Sequence, residues 1–163
     1  MTKRFFVNPF LATVSAATAL FSLTMFFSLI GLNRFVSAFV FLLIALLFLY
    51  LFSIYGAIIR IESDGIRRSF LGYVTRFLSW NSISEIGVTG TKVFNKDSPQ
   101  KTGSLYIYLS EKALAEEERF KIALEWPPKE QVFLTYSEAH IAIIQAHWRS
   151  KIQAYNAGDI YFS

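Results

Sequence analysis

The sequence contains no cysteine in its 163 residues. Disulfide bonds, thiolate nucleophiles and cysteine-ligated zinc are therefore excluded. Histidine is nearly absent too, and the two that occur, His140 and His147, lie in a segment with helical periodicity. Seven residues of helix rise about 10 Å, so two side chains at this spacing are too far apart to share a metal ion. We predict no metal site and no cofactor.

Charged residues are missing from two long stretches near the N-terminus. Arg34 is the one charged residue between Arg4 and Arg60, and it separates uncharged runs of 29 and 25 residues that are rich in Phe, Leu, Ile, Val and Ala. About 20 apolar residues in a helix cross a bilayer core of about 30 Å. The runs therefore predict two membrane spans, Pro9–Ile30 and Phe35–Ala57, joined by a tight link into an antiparallel hairpin. Neither span has an ionisable residue, so we do not expect transport by this chain alone.

Basic residues flank the spans mainly on one side. Lys3 and Arg4 precede the first span and Arg60 closely follows the second, whereas Arg34 lies in the link between them. Because basic loops stay in the cytoplasm, both termini are predicted to be cytoplasmic, in a multi-pass protein of the cell (inner or plasma) membrane. A cleaved secretory signal peptide is the alternative interpretation, although an early proline would interrupt its apolar region.

Small side chains lie on one face of the first predicted helix. They are Ala12, Ser15, Ala16, Ala19 and Ser22. One interpretation is a dimerisation surface, which small residues form in many membrane helices. The other is packing against the second span through Ser37, Ala38 and Ala45, which a helical hairpin requires in any case.

The remainder of the chain is nearly neutral. All 12 acidic residues and 13 of the 16 basic residues lie from Ile58 onward. Three of the four net positive charges therefore come from the residues that flank the spans. Because nucleic-acid binding needs a clustered basic face, we predict no nucleic-acid partner.

The stretch after the second span has the pattern of a β-hairpin. Asp64-Gly65 is a strong signal for a two-residue turn, and it places Glu62 opposite Arg67. An apolar face then collects Ile59, Ile61, Ile66 and Phe70, with Arg68 at its rim. Further strands are predicted at Tyr73–Trp80, Ser82–Val88, Ser104–Leu109, Phe120–Trp126 and Gln131–Tyr136, with a short helix at Glu111–Arg119.

The C-terminal part has the period of one long amphipathic helix. Thr135–Glu138 matches a capping box at its start. Apolar residues then recur at spacings of three and four over about five turns. They are Ile141, Ile144, Trp148, Ile152 and Tyr155. Asn156–Gly158 is predicted to end the helix.

This order of elements resembles that of bacterial pleckstrin-homology-like (PH-like) small membrane proteins with two N-terminal transmembrane helices. The shared features are the paired spans, the hairpin Ile59–Gly72, the strand pair Arg76–Val88 and the closing helix. The resemblance implies an α+β PH-like domain, a bent antiparallel β-barrel of about six or seven strands capped by a C-terminal amphipathic helix. The domains are then a transmembrane hairpin (1–57), a cytoplasmic PH-like domain (58–155) and a C-terminal tail (156–163). The family has no common activity, and its members imply a membrane-tethered binding or scaffolding module.

No set of residues predicts catalysis. Glu116, Glu117 and Glu118 are consecutive, so on a helix they fan out around the axis and do not converge. Gly87–Lys92 superficially looks like a phosphate loop but lacks Walker A spacing. No serine lies in a nucleophile-elbow context. We predict that the chain is not an enzyme.

Two basic segments are candidate contacts with the membrane surface or a lipid headgroup. One is the hairpin with Arg60, Arg67 and Arg68. The other is the loop with Lys92, Phe94, Lys96 and Lys101. Each basic residue near an anionic leaflet contributes about 1 kcal/mol. The simpler interpretation is a topology signal followed by a solvated loop.

Trp126, which precedes two prolines, is a candidate for partner docking, although such a tryptophan more often packs under its own turn. The predicted function is a non-catalytic, membrane-anchored binding or scaffold module. It would be an accessory subunit that recognises another membrane protein, or it would associate with itself. An anionic-lipid surface sensor on the cytoplasmic leaflet is the alternative.

Overall fold

The structure, a computed structural model, describes residues 3–92, 102–124 and 131–155. The chain divides into two compact units. One is the segment Phe6–Ile58, which contains two helices. The other contains the residues before this segment and those after it, and it contains the sheets.

The helical unit consists of α1 (Pro9–Gly31) and α2 (Phe35–Tyr55). The Asn8 side chain caps α1 by accepting a hydrogen bond from the Leu11 amide at 3.0 Å, and Pro9 occupies the first turn, where a missing N–H costs nothing. Both helices are long and apolar enough to cross a membrane. Of their most apolar windows, 22% and 11% are buried, whereas a core helix of a soluble protein would be mostly buried.

The two helices pack together through small residues. On α1 the buried positions are Ala12, Ser15, Ala19 and Ser22, and on α2 they include Ala38 and Ala45. The predicted packing of the helical pair is confirmed at these positions, whereas Ser37, which was predicted to take part, is exposed and Ala16 is half-buried. Small residues allow the backbones to approach closely, so the large side chains, such as Phe21 and Phe39, are exposed on the outside.

The first sheet has four strands in the order β1-β2-β3-β4. They are β1 (Lys3–Phe6), β2 (Ile58–Ile61), β3 (Gly65–Phe70) and β4 (Tyr73–Ser79). The strand β1 was not predicted from the sequence. Because β1 and β2 are neighbours in the sheet, α1 and α2 are an insertion between two adjacent strands.

The turn between β2 and β3 differs from the predicted one. The Glu62 amide donates to the Gly65 carbonyl at 2.9 Å, so the loop residues are Ser63 and Asp64. Glu62 therefore faces Gly65, not Arg67. The partner of Glu62 is thus shifted by two positions from the predicted one, and an even shift preserves the face on which each side chain lies. The predicted apolar face is accordingly found, with Ile59, Ile61 and Ile66 all buried.

Gly65 is required because β3 and β4 approach each other closely there, not because of a turn. It pairs with Ser79, and a Cβ on Gly65 would lie 2.8 Å from the Cα of Ser79 and would collide with the Leu78 carbonyl oxygen. Backbone atoms at this position cannot rotate away as the end of a side chain can.

Replacing Gly65 with Ala is expected to lower the free energy of unfolding by about 1–3 kcal/mol, because the added methyl group forces the two strands apart. Thermal unfolding of the full chain in detergent measures the loss. Gly31→Ala is the matched control, since nothing lies within 4 Å of a Cβ at Gly31. Equal midpoints for the two variants would contradict the predicted clash.

The second sheet has the order β7-β6-β5-β8. Its strands are β5 (Glu85–Lys92), β6 (Thr102–Ser110), β7 (Val132–Thr135) and β8 (Gln153–Tyr155). The central strand β6 is buried on both faces, because Tyr106 and Tyr108 on one side and Ile107 and Leu109 on the other are almost fully inaccessible. Within the described residues the strands form two separate sheets, so the predicted closed barrel is not observed.

One strand prediction is wrong, and one predicted helix is much shorter than expected. Residues Glu116–Leu124 form α3, so the strand predicted from Phe120 begins as a helix, and Trp126 lies outside the described residues. The C-terminal helix is short: α4 spans Glu138–Gln145, with Ser137 as its cap. The later part of the predicted helix forms β8, which pairs in parallel with β5. A ladder of backbone hydrogen bonds to β5 therefore replaces the last helical turns.

Candidate functional site

The arginines of the β2–β3 hairpin do not form one basic surface. Arg67 donates from Nε to Glu62 at 2.7 Å and from a terminal nitrogen to Asp64 at 2.6 Å, and its guanidinium lies 4.3 Å from the centre of the Phe77 ring. The hydrogen bond to Glu62 is the main cause that raises the pKa of Arg67. Its charge is therefore largely compensated by two carboxylates of its own hairpin.

Arg68 lies on the opposite face of β3, as neighbouring residues of a strand do. Its guanidinium is half-buried, 5.6 Å from the centre of the Phe133 ring in the second sheet, and it sits across from Arg76. Burial and then the charge of Arg76 lower the pKa of Arg68. Its Nε is buried without a hydrogen-bond partner among the described residues. Arg68 is thus a cation without a carboxylate partner in that part of the chain.

The other predicted contact residues are placed only in part. Arg60 lies on β2, and its Nε is also buried without a partner in the described ranges. Lys92 is the last residue of β5. Phe94, Lys96, Lys101 and Trp126 lie outside the described residues.

A buried carboxylate that the pattern analysis missed organises the second sheet. Glu85, the first residue of β5, is 6% exposed. Each of its oxygens accepts from Arg119 of α3 at 2.8 Å. One oxygen also accepts from the Tyr108 hydroxyl at 2.6 Å and the other from the Leu114 amide at 2.9 Å. Both oxygens are therefore fully occupied, which is the requirement for a buried charge.

The electrostatics of this Glu85 cluster (Glu85, Tyr108, Leu114 and Arg119) follow from its contacts. Burial alone would raise the pKa of the Glu85 carboxyl, but the hydrogen bonds and charge of Arg119, with those from Tyr108 and Leu114, hold it below its ordinary value. Burial and the bond to Glu85 raise the pKa of Tyr108. The bidentate ion pair raises the pKa of Arg119. All three side chains keep their usual charge states, so the cluster is a structural clip and offers no group poised for proton transfer.

The Glu85 cluster holds α3 against the second sheet. Leu114 and Ile122 pack against the Tyr108 ring. Glu118 supports the start of α3 by accepting from the Ala115 amide at 2.9 Å. Gly87 leaves room for the Tyr108 ring, because a Cβ there would lie within 2.6 Å of its Cε1 atom. One signal for this site is present in the sequence. In the predicted strand Ser82–Val88, alternation places Glu85 on the same face as the apolar Ile83. A carboxylate on an apolar face needs a partner for its charge.

The two histidines lie in separate places. His140 Nδ1 is 2.8 Å from the Thr135 carbonyl oxygen, and its ring meets that of Phe5 edge to face at 4.3 Å. His147 stacks on Trp80 at 5.0 Å. Among the described residues no group of three or more His, Cys, Asp or Glu could hold a metal ion.

Among the described residues of the sheet unit, the turn between β3 and β4 has the most exposed large apolar side chains. Leu71, Tyr73 and Val74 are 75%, 80% and 55% exposed. Leu71 and Gly72 form a tight turn, since Phe70 pairs with Tyr73 around it. We name these three exposed residues, with Gly72, the β3–β4 tip.

No protein-family model, curated protein or solved structure matches this chain.

Proposed function

We propose that this chain is a non-catalytic binding or scaffold module anchored in the cytoplasmic membrane of a bacterium. In this proposal it is an accessory subunit that recognises another membrane protein. The observation that carries the proposal is the insertion of α1 and α2 between β1 and β2, adjacent strands of one sheet. The sheet is thereby connected twice to a pair of helices that are apolar enough to span a bilayer.

The connections are too short to act as flexible tethers. Val7 and Asn8 separate β1 from α1, and Gly56 and Ala57 separate α2 from β2. The Val7 amide donates to the Ala57 carbonyl at 2.9 Å, so the two connections are bonded to each other. A linker of many Gly and Ser residues would let a domain search a large volume, whereas these connections confine it to the membrane surface. Confinement suits a module that binds partners within the same membrane.

The orientation follows from charge. Lys3 and Arg4 precede the first predicted span, Arg60 and Arg68 follow the second, and Arg34 lies in the link between them. The positive-inside rule then places both termini and the sheet unit in the cytoplasm. Within the proposal the sheet unit is a divergent PH-like domain, supported by the antiparallel pairs β3–β4, β5–β6 and β6–β7. It departs from that fold in its two separate sheets and in the parallel strand β8 that follows the short helix α4.

The test is purification of the tagged full chain from native membranes in mild detergent, with Trp126→Ala and Trp126→Phe as a matched pair. We expect one membrane protein to co-purify at near-equal stoichiometry with the original chain and with Trp126→Phe. We expect Trp126→Ala to lose most of it, because truncating an aromatic anchor typically costs about 2 kcal/mol or more of binding free energy. A chain that stays alone in detergent and after cross-linking in membranes would refute the accessory-subunit proposal.

Arg68 favours the alternative, an anionic-lipid surface sensor. Its half-buried guanidinium has no carboxylate partner among the described residues, and an anionic headgroup would compensate that charge. Lipid analysis of the same purified sample separates the two proposals. An anionic lipid retained in place of a protein partner would favour the sensor.

A further inference from the structure

The backbone of the β3–β4 tip is unusual for its residue type. Leu71 has φ of +48° and Gly72 has φ of +87°. A two-residue hairpin with both φ values positive normally uses Asn, Asp or Gly at its first position, because a larger side chain is strained there. A leucine at this position therefore does not serve the turn.

The packing of the sheet does not explain the leucine either. Leu71, Tyr73 and Val74 are among the most exposed large apolar residues of the sheet unit. Folding stability gains little from apolar side chains that stay in water, and an exposed edge strand with such residues favours aggregation. The tip thus combines backbone strain with apolar exposure, and a contact outside the chain would account for both.

Strand directions place the tip at a particular end of the first sheet. The Glu62–Gly65 hydrogen bond closes the far end of the β2–β3 hairpin, so β3 runs back toward the residues where β2 begins. β3 then enters the tip, and β4 leaves it in antiparallel pairing. The beginning of β2 follows α2 after only Gly56 and Ala57. The tip therefore lies at the end of the sheet where the chain enters from a candidate membrane span.

Basic residues lie behind the apolar ones. Arg68 and Arg76 face each other across β3 and β4, and two residue pairs separate them from the turn. Arg76 contacts Glu111 at 3.3 Å, whereas Arg68 has no carboxylate partner within the described ranges. Apolar and aromatic residues in front of arginines match the layers of a lipid surface, with acyl chains below and phosphates above.

We propose that the β3–β4 tip inserts into the lipid–water interface, with Leu71, Tyr73 and Val74 among the upper acyl chains and the Arg68–Arg76 pair of β3 and β4 behind them, at the level of the lipid phosphates. The inference rests on the membrane anchoring proposed above. It makes the tip a third contact that fixes the orientation of the sheet unit on the bilayer, in addition to the two covalent connections.

A second copy of the chain is the rival occupant, because β4 is an edge strand. Its ladder is interrupted, however, by a bulge next to Ser69, where Thr75 is the extra residue on β4. Bulges are a common device that prevents edge-to-edge pairing. The apolar residues also concentrate at the turn, which fits insertion of a tip better than pairing along an edge.

The absence of cysteine allows a single label to be introduced in the full chain. A fluorophore is attached at Thr75→Cys, beside the tip, and in a separate protein at Asn81→Cys, an exposed position beyond the opposite end of β4. Each protein is reconstituted in lipid nanodiscs whose phospholipid headgroups carry a nitroxide quencher. We expect strong quenching at Thr75 and little at Asn81.

Leu71→Asn supplies the decisive variant, because Asn accepts a positive φ and so keeps the turn folded. In the Thr75→Cys protein it should lower the ratio of inserted to free tip about tenfold or more, as expected for the loss of a buried leucine. Leu71→Met should retain the quenching.

Three results would overturn the proposal. The first is equal quenching at both labels, and the second is quenching at Thr75 that survives Leu71→Asn. The third is quenching at Thr75 that changes with the number of copies per disc, which would indicate β4 pairing between copies. A chain that leaves the nanodisc fraction altogether refutes the anchoring itself, so the two failures are distinguishable.

Discussion

Replacing Arg119 with Gln is expected to lower the free energy of unfolding by about 3–5 kcal/mol, because it leaves the buried Glu85 carboxylate without its cation. Glu85→Gln should cost less, about 1–3 kcal/mol, since Arg119 is 24% exposed and its freed guanidinium can turn to water. The double variant should cost less than the sum of the two, because both act on one interaction. Chemical denaturation of the full chain measures all three.

Arg76→Gln is the matched control. It breaks the pair with Glu111, in which the side chains are 33% and 47% exposed. Such pairs contribute about 0–1 kcal/mol. If Arg76→Gln and Arg119→Gln lowered stability equally, the structural role assigned to the Glu85 cluster would be wrong.

The same cluster makes stability depend on pH. The pKa of Glu85 in the folded chain lies below its ordinary value of 4.5. A depressed carboxyl pKa contributes stability that is fully present above the unfolded value and is lost as the pH falls through the folded value. The difference in unfolding free energy between the original chain and Glu85→Gln should therefore be constant near neutral pH and should shrink below about pH 4.5.

Features that depend on local periodicity could be predicted from the sequence. The two apolar helices were predicted from the uncharged runs, and the start of α1 was predicted at Pro9. The faces of the β2–β3 hairpin were also predictable, because Ile59, Ile61 and Ile66 keep their side of the sheet under an even shift of register. The turn itself was misplaced, because Gly65 was assigned to it. Gly65 is needed instead because the β4 backbone approaches it closely, which only the tertiary structure reveals.

Features that depend on long-range contacts could not be predicted. Glu85 and Arg119 are 34 residues apart, and α3 brings them together. The alternation from Phe120 indicated a strand, but short apolar runs do not distinguish a strand from a buried helix. Ile152 fitted a helical stripe equally well, yet the chain there leads into β8. In each case packing against the second sheet outweighed the local pattern.

Replacing both Leu46 and Leu47 with Arg is expected to prevent stable integration of the helical pair in the membrane. Both side chains are 54% exposed and lie near the middle of α2. An arginine at the centre of a spanning helix costs about 3 kcal/mol, so the pair costs about 6 kcal/mol. The fraction of full chain that resists alkaline extraction from membranes measures the effect.

The effect of arginines at Leu46 and Leu47 depends on whether a membrane or water surrounds α2. In water, arginines on the exposed face of a helix are well solvated, so a soluble helical pair would tolerate the substitution with a change within about 0.5 kcal/mol. The matched control replaces Phe35 and Val36, which are 64% and 83% exposed at the start of α2 beside Arg34. Arginines there can extend to the headgroups, so integration should be retained. Loss at the centre with retention at the end requires a bilayer around α2, whereas equal behaviour of the two variants would remove the basis for the anchoring proposed above.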